Sequence, residues 1–194
     1  MRSGGGDADP VIEITYPSWV RSLPWSASHA SDDERMRLVI AVARQNVEQA
    51  TGGPFGAAVF ERQSGRLVSV GMNMVVPSNN STLHAEMVAI MMAEQRVGSY
   101  TLRAAGKPEH ELVTSCEPCA MCLGATLWSG VTRLVCGATR DDAKRIQFDE
   151  GPVFPQSYAY LRDRGVDVVR GLLRDEARAV LDWYRESGGV IYNR

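Results

Sequence analysis

Two short stretches constrain this chain more than any other: His84-Ala85-Glu86 and Pro118-Cys119-Ala120-Met121-Cys122. Together they supply one imidazole, two thiols and a spare carboxylate. Three soft or borderline donors suit a tetrahedral zinc ion, and three rather than four leave one coordination position open to water. A glutamate beside the histidine can then move protons to and from that water. The expected cofactor is one Zn²⁺ per subunit, held by His84, Cys119 and Cys122, with Glu86 as the catalytic acid–base.

The spacing supports this chemistry. Cys119 and Cys122 are three apart in what reads as the first turn of a helix, so both thiols face one direction. A helix N-terminus carries partial positive charge, which favours thiolate over thiol. Pro118 suits that first turn, where its missing N–H costs nothing. His84 also opens a helix, and the two helix starts can converge on one ion. Cys116 precedes Cys119 by the same spacing as Cys122 follows it, so a closed structural zinc knot is the competing reading. Against it, Cys116 falls before the helix, on the turn leading out of a strand, and faces elsewhere. Glu86 has its own competing reading as a solvated surface charge. In a regular helix it is turned about 200° from His84, although residues at the very start of a helix need not follow that geometry.

Composition narrows the function classes. With 194 residues the chain is long enough for one domain with a substantial core. Its 44% hydrophobic and 23% charged residues are ordinary for a globular protein. The net charge is −2 and the basic residues are scattered, without the basic stripe of a nucleic-acid binder. No run approaches the roughly 18 apolar residues of a membrane span, and MRSGGGDADP has no apolar segment behind its arginine, so no secretory signal is expected. Three of the four cysteines crowd between positions 116 and 122, which favours metal over disulfides and a reduced, cytoplasmic location.

Along the chain, residues 1–30 are rich in Gly, Pro and Ser and read as a mobile extreme N-terminus followed by an extended arm. Its aromatics Tyr16, Trp19 and Trp25 are expected to lie on the body or on a neighbouring subunit. Ser31 and Glu34 form a capping box, and Met36, Val39, Ile40, Ala43 and Val47 keep helical period to about Ala50, where Gly52-Gly53-Pro54 stops the helix. Gly56–Phe60 and Leu67–Met72 read as a hairpin joined by Gln63-Ser64-Gly65. A second helix runs from Thr82 or Leu83 to Gly98, and a third from the cysteine motif to Gly130. Leu112–Thr114, Arg133–Cys136 and Val166–Val169 read as strands, Arg174–Arg185 as a last amphipathic helix, and the stretch between Cys136 and Val166 as irregular. This order argues a layered α/β sheet with an antiparallel hairpin at one side. The expected divisions are an arm at 1–30, one domain at 31–187 and a tail at 188–194.

The pairing of His-x-Glu with Pro-Cys-x-x-Cys is the signature of zinc-dependent base deaminases. On these residues the chain resembles the cytidine deaminase-like superfamily, and within it the small, zinc-dependent guanine deaminases of bacterial and plant type. The likeness extends to Gly52-Gly53-Pro54-Phe55-Gly56-Ala57, Gly71-Met72-Asn73, Thr114-Ser115-Cys116-Glu117-Pro118-Cys119 and Phe148-Asp149-Glu150. It covers residues 32–151 most closely. The resemblance implies a three-layer α/β/α sandwich around a five-stranded mixed sheet. It also implies that Asn73 and Glu150 hold the polar edge of a small heterocycle, with backbone near Ala85 close to the reacting centre. Phe55, Trp128 and Phe148 would wall or stack its faces. The acid at 150 is Asp in several relatives and Glu here, a longer side chain that shifts the anchoring oxygen. A homodimer is implied as well, and exchange of C-terminal segments about Gly188-Gly189 would let Val190-Ile191-Tyr192 cover a neighbour's site.

The implied reaction is hydrolytic deamination of guanine or a close aminopurine. The rival readings are deamination of another small ring (an aminotriazine such as ammeline, a pterin, cytosine, or a nucleoside such as guanosine) and, less in keeping with the charge balance, of tRNA adenosine. A zinc-stabilised binding domain without turnover is the non-enzymatic alternative.

Overall fold

Alternation along the strands decides how the layers form. In Gly56–Glu61 (β1), Ala58 and Phe60 enter one apolar cluster while Ala57 and Val59 enter another. The same division runs through His110–Cys116 (β3), with Val113 opposed to Leu112, and Arg133–Ala138 (β4), with Val135 opposed to Leu134 and Cys136. Successive side chains of a strand leave on opposite faces, so strands that are apolar at nearly every position must be covered on both. With Leu67–Met72 (β2) and Asp167–Val169 (β5) they form a five-stranded sheet in the order β2-β1-β3-β4-β5. β1 runs antiparallel to β2 and β3, and β3, β4 and β5 are mutually parallel. The structure, a computed structural model, describes residues 11–193; the extreme N-terminus expected to be mobile lies outside the described residues.

Helices cover both faces, giving the expected three layers. Asp32–Glu48 (α1) and Arg174–Glu186 (α6) contribute Met36, Val39, Val42, Val180 and Leu181 to one cluster. Ala85–Val97 (α2), Ala120–Ser129 (α3) and Pro155–Asp163 (α5) contribute Ala89, Leu123, Tyr158 and Leu161 to the other. The Ser31–Glu34 capping box is present in both directions, at 3.2 and 3.1 Å. The stretch read as irregular instead holds α5 and a short helix, Arg140–Arg145 (α4). Thr139 and Asp142 form a capping box at the start of α4, and Pro155 opens α5; these local start signals outweigh the weak apolar period. Pro118 lies outside its helix rather than in the first turn, because Cys119 is the extended N-cap (ψ 174°) of α3.

The described part of the arm, from residue 11 on, lies on its own body. Tyr16 donates a 2.6 Å hydrogen bond to the Val70 carbonyl, and the Arg96 guanidinium sits 4.0 Å from the centre of the Trp25 ring.

A charge network ties the layers together at the end of β3 away from Cys116. Glu111 is fully buried and accepts from Arg35, which is 5% exposed, and from Arg133 at 2.8 Å. Arg133 also grips Asp32 at the start of α1 through both terminal nitrogens, at 2.8 and 2.5 Å. Removing one member of such a pair strands a buried charge. Glu111→Ala is expected to destabilise the fold by about 3–5 kcal/mol, read as a lower urea midpoint; an unchanged midpoint would show that Arg35 finds another partner. On α4, Arg174 holds the Asp142 carboxyl below the usual carboxylate range, against burial and with help from Thr139. Because that folded-state pKa is depressed, the stabilisation is present above the ordinary value of about 4. It is lost as pH falls from there through the folded pKa. Asp142→Asn should therefore flatten the acid limb of a stability–pH curve while leaving its shape near neutrality unchanged.

Candidate active site

The site forms where two helices begin. His84 is the N-cap of α2 (φ −70°, ψ 159°) and Cys119 the N-cap of α3 (φ −67°, ψ 174°). Both residues are extended, so their side chains leave the chain just ahead of the helix, where its partial positive charge is strongest. Gly71 on β2 lets α2 approach this point: a Cβ there would lie 2.0 Å from the Ala85 carbonyl oxygen. Cys122, on the third residue of α3, folds back beside its N-cap. The ligand atoms of His84, Cys119 and Cys122 all lie within 4.8 Å of one another, with His84 Nδ1 3.5 Å from Cys119 Sγ. Among the described residues they form the one such group of His, Cys, Asp and Glu, and Cys116 is outside it. Its thiol instead contacts the Thr139 carbonyl oxygen at 3.5 Å.

The electrostatics suit a cation. Interaction with Cys122 holds the Cys119 thiol down to about 4, against burial and with help from His84. Cys122 is pushed up as the donor to Cys119 and by burial, so the two sulfurs share one proton that a divalent cation would displace. One thiolate pair and one imidazole form the donor set of an open zinc site. The chain is therefore zinc-binding in both ligand chemistry and ligand placement.

A small cavity, nearly filled by its own side chains, opens onto these ligands, lined by Phe55, Asn73, Ala85, Glu86, Cys116, Glu117, Glu150, Tyr192 and Asn193 as well as His84 and Cys119. Glu86 is 7% exposed and follows an extended N-cap, so the unfavourable turn of a regular helix does not separate it from His84. Burial first, and then the Cys119 charge, push its carboxyl upward. The same two causes and Glu86 itself push Glu150 up to about 8. Asn73 is fully buried; its backbone N–H donates to the Phe55 carbonyl at 3.0 Å and its Oδ1 accepts from Val75 N at 3.4 Å. That leaves Nδ2 aimed into the cavity, where it donates to the Tyr192 hydroxyl at 2.6 Å.

The expected residues do not all meet here. His84, Ala85, Glu86, Cys119, Asn73, Glu150 and Phe55 line the cavity, and Cys122 completes the ligand group. Phe148 is buried behind it, with its ring centre 5.0 Å from Phe55 and 5.1 Å from Tyr192, and braces the wall rather than forming it. Trp128 is a correction: it is 80% exposed near Arg103, Tyr160 and Arg164, two turns beyond the cysteines and on the outer side of α3. The tail returns to its own chain. Asp149 N donates to the Asn193 carbonyl at 2.8 Å, and the Tyr184 hydroxyl donates to the Val190 carbonyl at 2.8 Å. Asn193 and Glu117 were not singled out in the sequence. Glu117 is 2% exposed, accepts from Arg170 Nε at 2.5 Å and from Arg140 N at 3.1 Å, and so pins the turn that delivers Cys119. The signal available for it was an acid inside a Cys-x-Pro-Cys turn.

Residues 29–138 match the cytidine and deoxycytidylate deaminase zinc-binding region. The chain belongs to this family. It is 35% identical over 148 residues to a guanine deaminase of Bacillus subtilis, covering 76% of this chain and 90% of that protein. It superposes on the solved guanine deaminase of Nitrosomonas europaea with a TM-score of 0.88 at 43% identity, covering 93% of this chain and all of that one. A further solved structure, a complex with 2,6-diaminopurine, gives a TM-score of 0.82 at 48% identity, covering 86% and 88%.

Cys122→Ser and His84→Ala are each expected to lower bound zinc well below one ion per chain by elemental analysis, while Cys116→Ser keeps it. Loss of metal from Cys116→Ser would instead make the site four-coordinate by protein.

Proposed function

We propose that this chain is a zinc-dependent aminohydrolase that converts guanine and water to xanthine and ammonia. The reading is carried by one cavity that holds a three-donor metal site, a buried proton-carrying acid and two polar groups suited to a ring edge. Zinc bound by His84, Cys119 and Cys122 supplies Lewis acidity that activates water at neutral pH. Glu86 takes a proton from the attacking water and delivers it to the ring nitrogen beside the amino-bearing carbon. It then carries the second proton to the departing amine, which leaves as ammonia. Burial suits Glu86 to both halves of this work, since its raised pKa brings it closer to the operating pH.

Asn73 presents N–H donors to a ring acceptor, and Glu150 a carboxyl to the ring N–H groups. Leaving such a polar edge unpaired costs roughly 1–3 kcal/mol per group, so the pair selects among heterocycles. Phe55 covers one ring face, and the Ala85 backbone lies beside the reacting centre. Tyr192 and Asn193 roof the cavity, which favours a free heterocycle over a base within a polynucleotide. The guanine-deaminase relatives and the 2,6-diaminopurine complex support a purine among the possible rings.

The catalytic domain is taken as residues 31–187, with residues 1–30 as an arm and 188–194 as a tail. A homodimer is part of the proposal. It is supported by apolar side chains on the outer faces of α3 and α5, where Met121, Trp128 and Tyr160 are 36%, 80% and 47% exposed; a patch of this kind marks an interaction surface. No described helix is long and apolar enough to cross a membrane. Thiolate ligands and unpaired cysteines support a reducing, cytoplasmic setting.

The test is ammonia release from a panel of guanine, guanosine, cytosine, ammeline and a pterin. Guanine is expected to be turned over fastest, and preference for another ring would reassign the substrate. Glu86→Gln should keep its zinc and lose roughly 10²–10⁴-fold in kcat; near-normal turnover would remove Glu86 from the proton path. Glu150→Gln should impair guanine turnover far more than zinc content.

A further inference from the structure

A chain of hydrogen bonds, half-buried at Trp19 and Thr51 and buried at Asn46, runs from the N-terminal arm to Asn73. Trp19 Nε1 lies 3.1 Å from Thr51 Oγ1, which lies 2.8 Å from Asn46 Oδ1. Asn46 Nδ2 then reaches two carbonyl oxygens, Gly53 at 2.8 Å and Asn73 at 2.9 Å. Its direction is forced at both ends. An indole N–H only donates and a carbonyl only accepts. Trp19 must therefore donate to the Thr51 hydroxyl, and Asn46 must present both amide protons to the two carbonyls; the hydroxyl proton goes to Asn46 Oδ1, its nearer acceptor, with the Asn46 main-chain carbonyl at 3.3 Å as the other.

Asn46 is fully buried on α1 and its side chain bridges the two loops that frame the cavity. The loops touch so closely that a Cβ on Gly52 would lie 1.8 Å from the Asn73 carbonyl oxygen and 2.7 Å from Asn46 Nδ2. With its N–H held by Phe55 and its carbonyl by Asn46, the Asn73 peptide is clamped on both sides. From that held backbone the side chain turns Oδ1 to Val75 N and Nδ2 into the cavity.

From this geometry we infer that Trp19, Thr51 and Asn46 are positioning residues for substrate recognition, acting through Asn73, and that the arm is part of the recognition apparatus. The inference rests on the reading of Asn73 as a substrate contact. None of the three reaches the cavity, so their effect is on where Asn73 points. Loss of the Thr51 hydroxyl leaves Asn46 Oδ1 without its side-chain donor and loosens the amide that holds the two carbonyls.

A double-mutant cycle separates positioning from general stabilisation. Thr51→Val conserves shape and removes the hydroxyl. It is expected to lower kcat/KM for guanine about tenfold, the worth of one well-placed buried hydrogen bond, mainly through KM and with zinc content unchanged. Thr51→Ser should restore it, and Trp19→Phe should show a smaller loss of the same kind. In an Asn73→Ala background the Thr51→Val loss should vanish. An equal loss in both backgrounds, or none in the native one, would overturn the inference. If Asn73→Ala turns over too slowly to measure, the same cycle is read from the dissociation constant of xanthine for the zinc-loaded protein. Failure of the native protein to deaminate guanine would refute the proposed substrate instead, and the cycle is then read on the heterocycle that the panel identifies.

Discussion

The site depends on two helix N-termini meeting at one point. Each begins at a residue that would bind metal, and each brings partial positive charge toward sulfur atoms that must be anionic to bind it. Everything else in the fold holds those two starts in place. β2 carries a glycine where α2 has to pass closely, and β3 runs directly into the cysteine turn. Glu117, buried and bonded to Arg170 and to the backbone of Arg140, fixes that turn against the following strand and helix. The cavity therefore sits outside the carboxyl ends of β2, β3 and β4, where an α/β sheet leaves room between its connections.

The largest network of fixed charges and the chemistry lie at opposite ends of β3. Glu111 near its start anchors Arg35 and Arg133 in a network of fixed charges, while Cys116 at its end abuts the cavity. Buried charges close to the thiolates would shift their proton affinity, since electrostatic effects fall off slowly where water is excluded. The Glu111 network stands a strand's length from the metal ligands, whereas the Glu117–Arg170 pair lies beside the cysteine turn that it fixes.

The layered sheet and the metal ligands were legible because their signals are local. Strand alternation, the Ser31–Glu34 box and the His-x-Glu and Cys-x-x-Cys spacings each lie within a few residues. The helices α4 and α5 were missed where apolar periodicity is weak, although Thr139, Asp142 and Pro155 mark their starts. Trp128, expected at the site from the resemblance, projects two turns after the ligands from the opposite side of the helix and does not line this cavity. Asn46 was invisible for the opposite reason. It sits among ordinary helical residues, and only the packing of two distant loops gives its amide anything to hold. Tyr192 was visible as part of an apolar tail, but its perch above the ligands of its own chain depends on how residues 187–193 turn back.

That perch makes the resting cavity a filled one. The phenol of Tyr192 already satisfies the Asn73 amide, and its ring stands edge-on to His84 and Phe148, 6.1 and 5.1 Å between centres. A ring edge that takes up the Asn73 amide must replace the hydrogen bond that the phenol now makes. Affinity at this site is therefore measured against a contact the protein already holds.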